Sequence, residues 1–428
     1  MKSVPRIAVL GLGYVGLPLA VALARHFKVI GYDLDSSRVS ELRAGRDRTF
    51  EVSSEELQKS SLKVVGAAEE LRGSDFFIVA VPTPVDTENR PDLSALREAS
   101  RAVGAVLDEN AVVVFESTVY PGVTENICGP ILEKVSGLRC GVDFHLGYSP
   151  ERINPGDRVH NIESITKVVA GQTPEVASRL KAIYGQINGG NIFVARNIRT
   201  AEAAKVIENT QRDINIAFIN EVTTIFARLG LSVHDVLDAA TTKWNFLDFK
   251  PGLVGGHCIG VDPFYLAHCS EELGLHPEII LAGRRINDRM GGYLAAQIHA
   301  AIEKAMPGRK AARILVLGLT FKENLPDLRN TKVVDLIREL EGHGHSVVVH
   351  DACADPVEAK RLYKIDLLPS LNGANGFHCV VGAVSHTSYR EFTHQSFRDL
   401  LGPAGLVADI KGIWRDLVLP DGFQRWQL

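Results

Sequence analysis

Apolar and polar positions follow a strand-then-helix rhythm along the N-terminal third of the chain. Residues 6–10, RIAVL, form a short apolar run of strand type, and after Pro18 an alanine- and leucine-rich helical segment extends to about Phe27. A second strand, VIGYD, ends in Asp33. DFFIVAVPTPVD (75–86) is a strand running into a Pro-bounded loop, a helix follows over 93–107, and AVVVFESTVYPG (111–122) is the next strand. HLGYSPERINPGD (145–157) is another strand end, which delivers Glu151 and Arg152 into a loop. Short apolar runs alternating with helices predict βαβ units on a mainly parallel sheet.

From Thr200 to Gly230 the pattern becomes that of one long helix, with Gly230 in the C-cap role. Residues such as Ile207, Ile214, Phe218, Ile219, Val222 and Ile225 make much of its circumference apolar. Lys205, Asn209, Arg212 and Asn220 recur at roughly helical intervals and share or border one face. A solvated face explains such a stripe on an ordinary surface helix. On a helix apolar over most of its girth, Lys205 and Asn209 would be buried polar groups that need partners, and a ligand is one such partner. Further on the chain repeats its opening. RILVLGLTFKE (313–323) echoes RIAVLGLGYVG (6–16), a helix follows over 332–341, and SVVVHD (346–351) again ends a strand in an acid. FHCVVGAVSH and GLVADIKGIW supply further strands, with Asp409 and Lys411 at the end of the second. The predicted fold class is α/β, with two doubly wound, Rossmann-like domains joined by a central helical domain with one long helix.

Composition narrows the partners. A formal net charge of −4 gives no reason to expect nucleic acid or an anionic membrane, so basic clusters should serve small anions. The cysteines (Cys128, Cys140, Cys258, Cys269, Cys353, Cys379) are scattered without a C-x-x-C pair. That suits the cytoplasm better than a disulfide scaffold, and no metal site is expected. Lys2 and Arg6 before the apolar run from Ile7 to Ala24 could pass for a secretory signal. Gly11, Gly13, Gly16 and Pro18 interrupt that run at a spacing which a nucleotide-binding turn explains. No other segment approaches the ~20 uninterrupted apolar residues of a membrane span.

The candidate chemistry begins at Gly11-Leu-Gly13-Tyr-Val-Gly16, between the first strand and its helix. Its glycines permit a tight turn, close approach of a pyrophosphate and close helix–strand packing. Asp33 would accept hydrogen bonds from the adenosine ribose, favouring NAD over NADP, although Arg38 nearby leaves that discrimination open. Thr83 and the trio Glu116, Ser117 and Thr118 stand at strand ends, where ligands of an open sheet lie, and are expected to face the nicotinamide. PGLVGGHCIGVDP (251–263) places Cys258 among glycines, with His257 before it and Asp262 after it. Cys258 is either a nucleophile in a pocket wall or a buried small hydrophobe in a turn. Arg284 and Arg285 form an adjacent pair suited to a phosphate or carboxylate, and the first turn of the repeated unit carries Lys322, Asp327 and Arg329 in place of the dinucleotide glycines.

With these residues in hand the chain resembles the UDP-glucose/GDP-mannose dehydrogenase family over nearly its whole length. The likeness rests on GLGYVGLP, VPTP, ESTVYPG, YSPERI, AEAAKVIENTQRDINIAFINE, GGHCIGVDP and GLTFKENLPDLRNTK, in that order. It implies an NAD-binding domain over 1–198, a central helical and dimerisation domain over 199–305 and a UDP-sugar-binding domain over 306–428. It also implies a cytoplasmic homodimer, with a basic residue contributed across the interface. The implied reaction is a four-electron oxidation of a sugar C6 alcohol, through a thiohemiacetal and thioester on Cys258. In that scheme Lys205 and Asn209 stabilise the oxyanion, Asp262 and Thr118 position a water, and Glu151 assists thioester hydrolysis. The resemblance further implies NAD contacts at Gly11, Gly13, Tyr14, Val15, Gly16, Asp33, Arg38, Thr83, Ser117, Thr118 and Arg329. Substrate contacts are implied for Glu151, Arg152, Lys205, Asn209, Arg212, Lys250, Gly255, Arg284, Arg285, Phe321 and Lys322. His257 and Val261 around Cys258 resemble the branch acting on UDP-N-acetylhexosamines in surface polysaccharide synthesis. UDP-N-acetylglucosamine or UDP-N-acetylgalactosamine is the expected substrate, with UDP-N-acetylmannosamine and UDP-glucose as alternatives.

Overall fold

The computed structural model of the 428-residue chain describes residues 4–153, 161–256 and 259–428. Lys2, residues 154–157 of the strand-end loop, His257 and Cys258 therefore lie outside the described residues. The chain forms two compact units, one comprising the residues up to Glu208 with Phe264–Leu275, the other Asn209–Pro263 with His276–Leu428.

The first unit opens with β1 (Arg6–Leu10), α1 (Gly16–Ala24), β2 (Lys28–Tyr32), α2 (Ser36–Arg43), α3 (Ser54–Lys59) and β3 (Lys63–Val65). It continues through β4 (Phe76–Val79), α4 (Ser94–Gly104), β5 (Val112–Phe115), α5 (Gly129–Ser136) and β6 (His145–Tyr148). β7 (Lys167–Gly171), α6 (Pro174–Gly185) and β8 (Ile192–Val194) complete its sheet. The strand order β3-β2-β1-β4-β5-β6-β7-β8 contains the dinucleotide-fold order, with the reversal between β1 and β4. Ile7 sits between Val29 and Phe76 in parallel register, and among the described strands of this sheet only the β6–β7 pairing is antiparallel. β4 and β5 are wholly buried, which is why they read as continuous apolar runs rather than alternating ones.

α7 (Ile198–Leu229) is the predicted long helix. Asn197 caps its start by accepting the Thr200 N–H at 2.8 Å. At its end Gly230 adopts φ +70° and Leu231 N–H bonds the Phe226 carbonyl at 3.0 Å, so the helix stops where the sequence places the glycine. α8 (Val233–Ala240), α9 (Asp262–Glu272) and α10 (Glu278–Ala305) follow.

The second α/β unit runs β9 (Arg313–Leu317), α11 (Val333–Gly342), β10 (Ser346–His350), α12 (Pro356–Tyr363), β11 (Cys379–Gly382), α13 (Thr387–Arg390), α14 (His394–Leu401), β12 (Gly405–Asp409) and β13 (Phe423–Gln427). Its strands lie in the order β10-β9-β11-β12-β13, every pairing parallel, which is the shorter of the two common doubly wound orders. Ile219 of α7, Leu237 of α8 and Leu294 and Ile298 of α10 share one core with Ile314, Val316 and Leu336. The central helices thus carry the second sheet on a common apolar layer.

Candidate active site

In the first unit the turn after β1 has the form a pyrophosphate requires. A Cβ on Gly16 would lie 1.8 Å from the Gly11 carbonyl oxygen, so no other residue fits there. Asp33, half-buried, accepts the Leu12 N–H at 2.8 Å and the Asp35 N–H at 2.9 Å, which fixes its carboxylate beside the turn. Arg38 is buried. Its Nε donates to the Leu12 carbonyl at 2.9 Å and its Nη2 to Asp47 at 2.7 Å, so these contacts brace the turn from within. At the ends of β4 and β5, Thr83 Oγ1 donates to the Thr118 carbonyl at 2.8 Å and Ser117 Oγ to the Val81 carbonyl at 2.6 Å. Tyr265 secures the same loop by donating to the Thr83 carbonyl at 2.9 Å.

Glu116 corrects the reading of its trio. Its carboxylate turns inward, accepting Lys167 Nζ at 2.6 Å on one oxygen and the Tyr184 hydroxyl at 2.5 Å on the other. A carboxylate with those two donors at hand stays inside the sheet rather than facing a nicotinamide. Glu151 is the second acid on this lysine, with Oε2 3.4 Å from Lys167 Nζ, while Oε1 accepts the Arg152 and Ile153 N–H groups at 2.6 Å. Burial works against the Glu151 charge, yet Lys167, the two amides and Lys205 hold its pKa below the usual value. Arg152 pairs with Glu208 at 2.8 Å and donates to the Thr166 carbonyl at 2.9 Å. Lys205 is buried on α7. Lys167 and Tyr184 escape a sequence reading, because the strand KVVAG shows only a lysine before three small apolar residues.

In the second unit the glycine-rich loop is held on both sides of its turn. Asn220 clamps Gly252, donating to its carbonyl at 3.0 Å and accepting its N–H at 2.8 Å. Asn330 accepts the Gly256 N–H at 3.2 Å through its own carbonyl and donates Nδ2 to the Gly256 carbonyl at 3.0 Å. Gly255 and Gly256 are both obligatory. A Cβ on Gly255 would meet the Asn330 carbonyl oxygen at 2.7 Å, and Gly256, at φ +86°, would drive one into the Phe321 ring at 2.8 Å. Asn209 Nδ2 donates to Asp262 Oδ2 at 2.5 Å, which brings together two of the residues singled out from sequence. Lys411 lies against Gly252, and burial lowers its pKa.

The remaining cations divide by environment. Arg284 is buried and bonded to Asp213 at 2.7 Å and Asp288 at 2.6 Å, so its carboxylate partners come from the fold itself. Arg285 and Arg212 are exposed. Lys250 pairs with Asp248 at 2.7 Å, Arg329 with Asp327 at 2.6 Å, and Lys322 is half-buried in the turn after β9.

A braced glycine turn with Asp33 beside it, a buried acid–lysine cluster and a second α/β unit with a charged first turn suit a nucleotide-dependent enzyme. Comparison with known proteins sharpens this. The chain matches the UDP-glucose/GDP-mannose dehydrogenase family in its NAD binding domain over residues 5–188, its central domain over 199–289 and its UDP binding domain over 315–416. It is 51% identical over 422 residues to Protein CapL of Staphylococcus aureus, covering 99% of each chain. It is 49% identical over 409 residues to UDP-N-acetyl-D-glucosamine 6-dehydrogenase of Pseudomonas aeruginosa, covering 95% of this chain and 96% of that one. The solved structure of a UDP-D-ManNAc dehydrogenase from Pyrococcus horikoshii superposes with a TM-score of 0.88 at 32% identity, covering 99% of this chain and 98% of that one. The chain therefore belongs to the UDP-glucose/GDP-mannose dehydrogenase family and is an NAD-dependent nucleotide-sugar dehydrogenase. Among the described residues no single helix is long and apolar enough to cross a membrane.

Proposed function

We propose that the chain oxidises the C6 hydroxymethyl group of a UDP-N-acetylhexosamine, UDP-N-acetylglucosamine or UDP-N-acetylgalactosamine, to the uronic acid, with Cys258 as acyl carrier. The observation that carries the sugar assignment is the 49% identity, over nearly the whole length, to a UDP-N-acetyl-D-glucosamine 6-dehydrogenase. NAD⁺, held by the glycine turn and Asp33, would supply the hydride acceptor for each of the two oxidations. The chain's own groups manage the rest. The Cys258 thiolate adds to the aldehyde, giving the tetrahedral oxyanion from which the second hydride leaves. Lys205 and Asn209, one turn apart on α7, stabilise that oxyanion, and Asp262 orients the Asn209 amide through their 2.5 Å hydrogen bond. Thr118 and Asp262 hold the water that moves the alcohol proton, and Glu151 takes the proton of the water that hydrolyses the thioester.

Around this chemistry Asp33 and the glycine turn hold the dinucleotide, with Tyr14, Val15, Thr83, Ser117 and Arg329 as further contacts. Gly255, Phe321, Lys322, Lys250, Arg152, Arg212 and Arg285 serve the UDP-sugar, whereas Arg284 is committed to Asp213 and Asp288. The domains behind these roles are an NAD domain over 1–198, a helical domain over 199–305 and a UDP-sugar domain over 306–428. Ile207, Phe218, Ile225 and Leu229 of α7 are exposed, and helical geometry places them within about 40° of one another. That stripe, with the exposed Trp244, supports a homodimer built on α7. The setting is cytoplasmic synthesis of precursors for surface polysaccharide.

The test is to incubate purified protein with NAD⁺ and a panel of UDP-sugars and to count NADH per uronate. Two NADH per sugar, with UDP-N-acetylglucosamine or UDP-N-acetylgalactosamine preferred, is the expected result. Preference for UDP-N-acetylmannosamine, the reading favoured by the Pyrococcus horikoshii likeness, or for UDP-glucose would overturn the sugar assignment alone.

A further inference from the structure

The first unit contains a charged group that the reaction scheme leaves without a task. Lys167, the first residue of β7, is 2% exposed, and burying an ammonium so completely requires strong partners. It has them unequally. Glu116, 2% exposed, approaches at 2.6 Å and is itself tied to the Tyr184 hydroxyl of α6, whose ring lies 5.3 Å below the ammonium. Glu151 stands further off at 3.4 Å. An ion pair serving stability alone is complete with Glu116. The second acid is the one to which the proposed function gives a task, and its other oxygen is fixed by two backbone N–H groups.

We propose that Lys167 is a positioning residue for thioester hydrolysis, anchored by Glu116 and Tyr184 so that its ammonium keeps Glu151 anionic and oriented. The inference rests on the hydrolytic role proposed for Glu151. In the step concerned the water oxygen bonds to the thioester carbonyl carbon and its proton passes to Glu151. The C–S bond breaks, and its electron pair leaves on the Cys258 sulfur. A neutral Glu151 cannot take that proton. Among the described residues, the charged and titratable groups facing Glu151 are Lys167 from β7, Lys205 from α7, Glu116 beyond β5 and Tyr184 from α6. The two lysines favour its anion, and Glu116 competes with it for the Lys167 ammonium, standing at 2.6 Å against 3.4 Å for Glu151. Burial alone would raise the Glu151 pKa, and Lys167 heads the groups that bring it below the usual value.

Two substitutions should move Glu151 in opposite directions. Lys167→Met removes the cation and raises the pH at which Glu151 ionises. Glu116→Gln removes the competing acid, leaves the whole ammonium to Glu151 and lowers that pH. The experiment is single-turnover thioester hydrolysis by the full-length enzyme across pH, with the first hydride transfer as internal control. Infrared difference spectra against Glu151→Gln read the Glu151 carboxylate directly. The acid limb of hydrolysis should shift upward by about one unit or more in Lys167→Met, a tenfold loss of rate per unit on that limb, and downward in Glu116→Gln. Shifts of the same sign, or an unmoved Glu151 band in both variants, would overturn the proposal. Should Lys167→Met fail to fold, Glu116→Gln alone still decides, because a merely structural pair predicts no downward shift. Undiminished hydrolysis in Glu151→Gln would sink the role of Glu151, a failure distinct from an unmoved carboxylate band.

Discussion

Each α/β unit opens with the sequence R-I-x-V-L-G-L and closes its second strand with an acid, yet Asp33 and Asp351 have different tasks. Asp33 is half-buried, and its carboxylate accepts two backbone N–H groups at the rim of an open turn. Asp351 has no exposed side-chain surface. One of its oxygens accepts the Leu319 and Thr320 N–H groups and the His386 Nε2, and the other accepts the Cys353 and Ala354 N–H groups. His386 Nδ1 accepts the Asn324 N–H at 2.9 Å, so the imidazole carries its proton on the nitrogen facing Asp351. Asp351, Cys353 and His386 lie close enough to suggest a metal site, but the carboxylate is already saturated by these donors. The first unit leaves Asp33 at the rim of its turn, and the second fills the same place with its own side chains. A shared topology therefore does not carry a shared ligand site.

Exchanging roles at these two acids is the most direct way to break the comparison. Asp351→Asn should cost about 3–5 kcal/mol of stability, as losses of buried charged partners do, with the NAD KM unchanged; urea unfolding and NAD titration check both halves. The pH dependence follows. Burial would raise the Asp351 pKa, but the His386 imidazole and the Leu319 and Thr320 amides overcome it and hold the carboxyl well below its ordinary range. A carboxyl depressed by folding stabilises fully above its unfolded pKa near 3.8, and that contribution fades as pH falls below it toward the folded value. The wild-type urea midpoint should therefore fall on acidification through this range, and Asp351→Asn should remove that part of the slope.

Asp33→Ala should do the reverse, leaving the urea midpoint nearly unchanged. Hydrogen bonds to a charged group contribute about 1.5–3 kcal/mol, so NAD binding should weaken roughly ten- to a hundredfold. Loss of stability without loss of affinity would show that Asp33 is structural like its counterpart. The smallest expected effect lies in the clamp on the glycine loop. Asn220→Ala leaves the Gly252 N–H and carbonyl without their side-chain partner and should cost about 1–3 kcal/mol, visible as a lower Tm and a lower kcat.

Much of this was legible beforehand. The strand ending in Asp33, the glycine turn, the long helix stopped by Gly230 and the repeat beginning at Arg313 each combine a periodic run with a residue of special backbone chemistry, and all appear where expected. The strand β7 did not, because KVVAG carries neither alternation nor a turn signal, and Lys167 was hidden with it. The inward turn of Glu116 was equally illegible, since its partners lie 51 and 68 residues away in sequence. Asp33 and Asp351 read alike in sequence for the same reason. The residue that separates them, His386, arrives from beyond another strand.

The central claim is that Cys258 carries the sugar as a thioester between oxidation and release. It is tested most directly by quenching the wild-type enzyme in acid during turnover with NAD⁺ and UDP-N-acetylglucosamine, then mapping covalent adducts by mass spectrometry. The account predicts a UDP-sugar acyl adduct on the peptide containing Cys258, absent from Cys258→Ser, with that variant releasing no free uronate. Uronate formed at the wild-type rate by Cys258→Ser, with no adduct on the wild-type peptide, would contradict it.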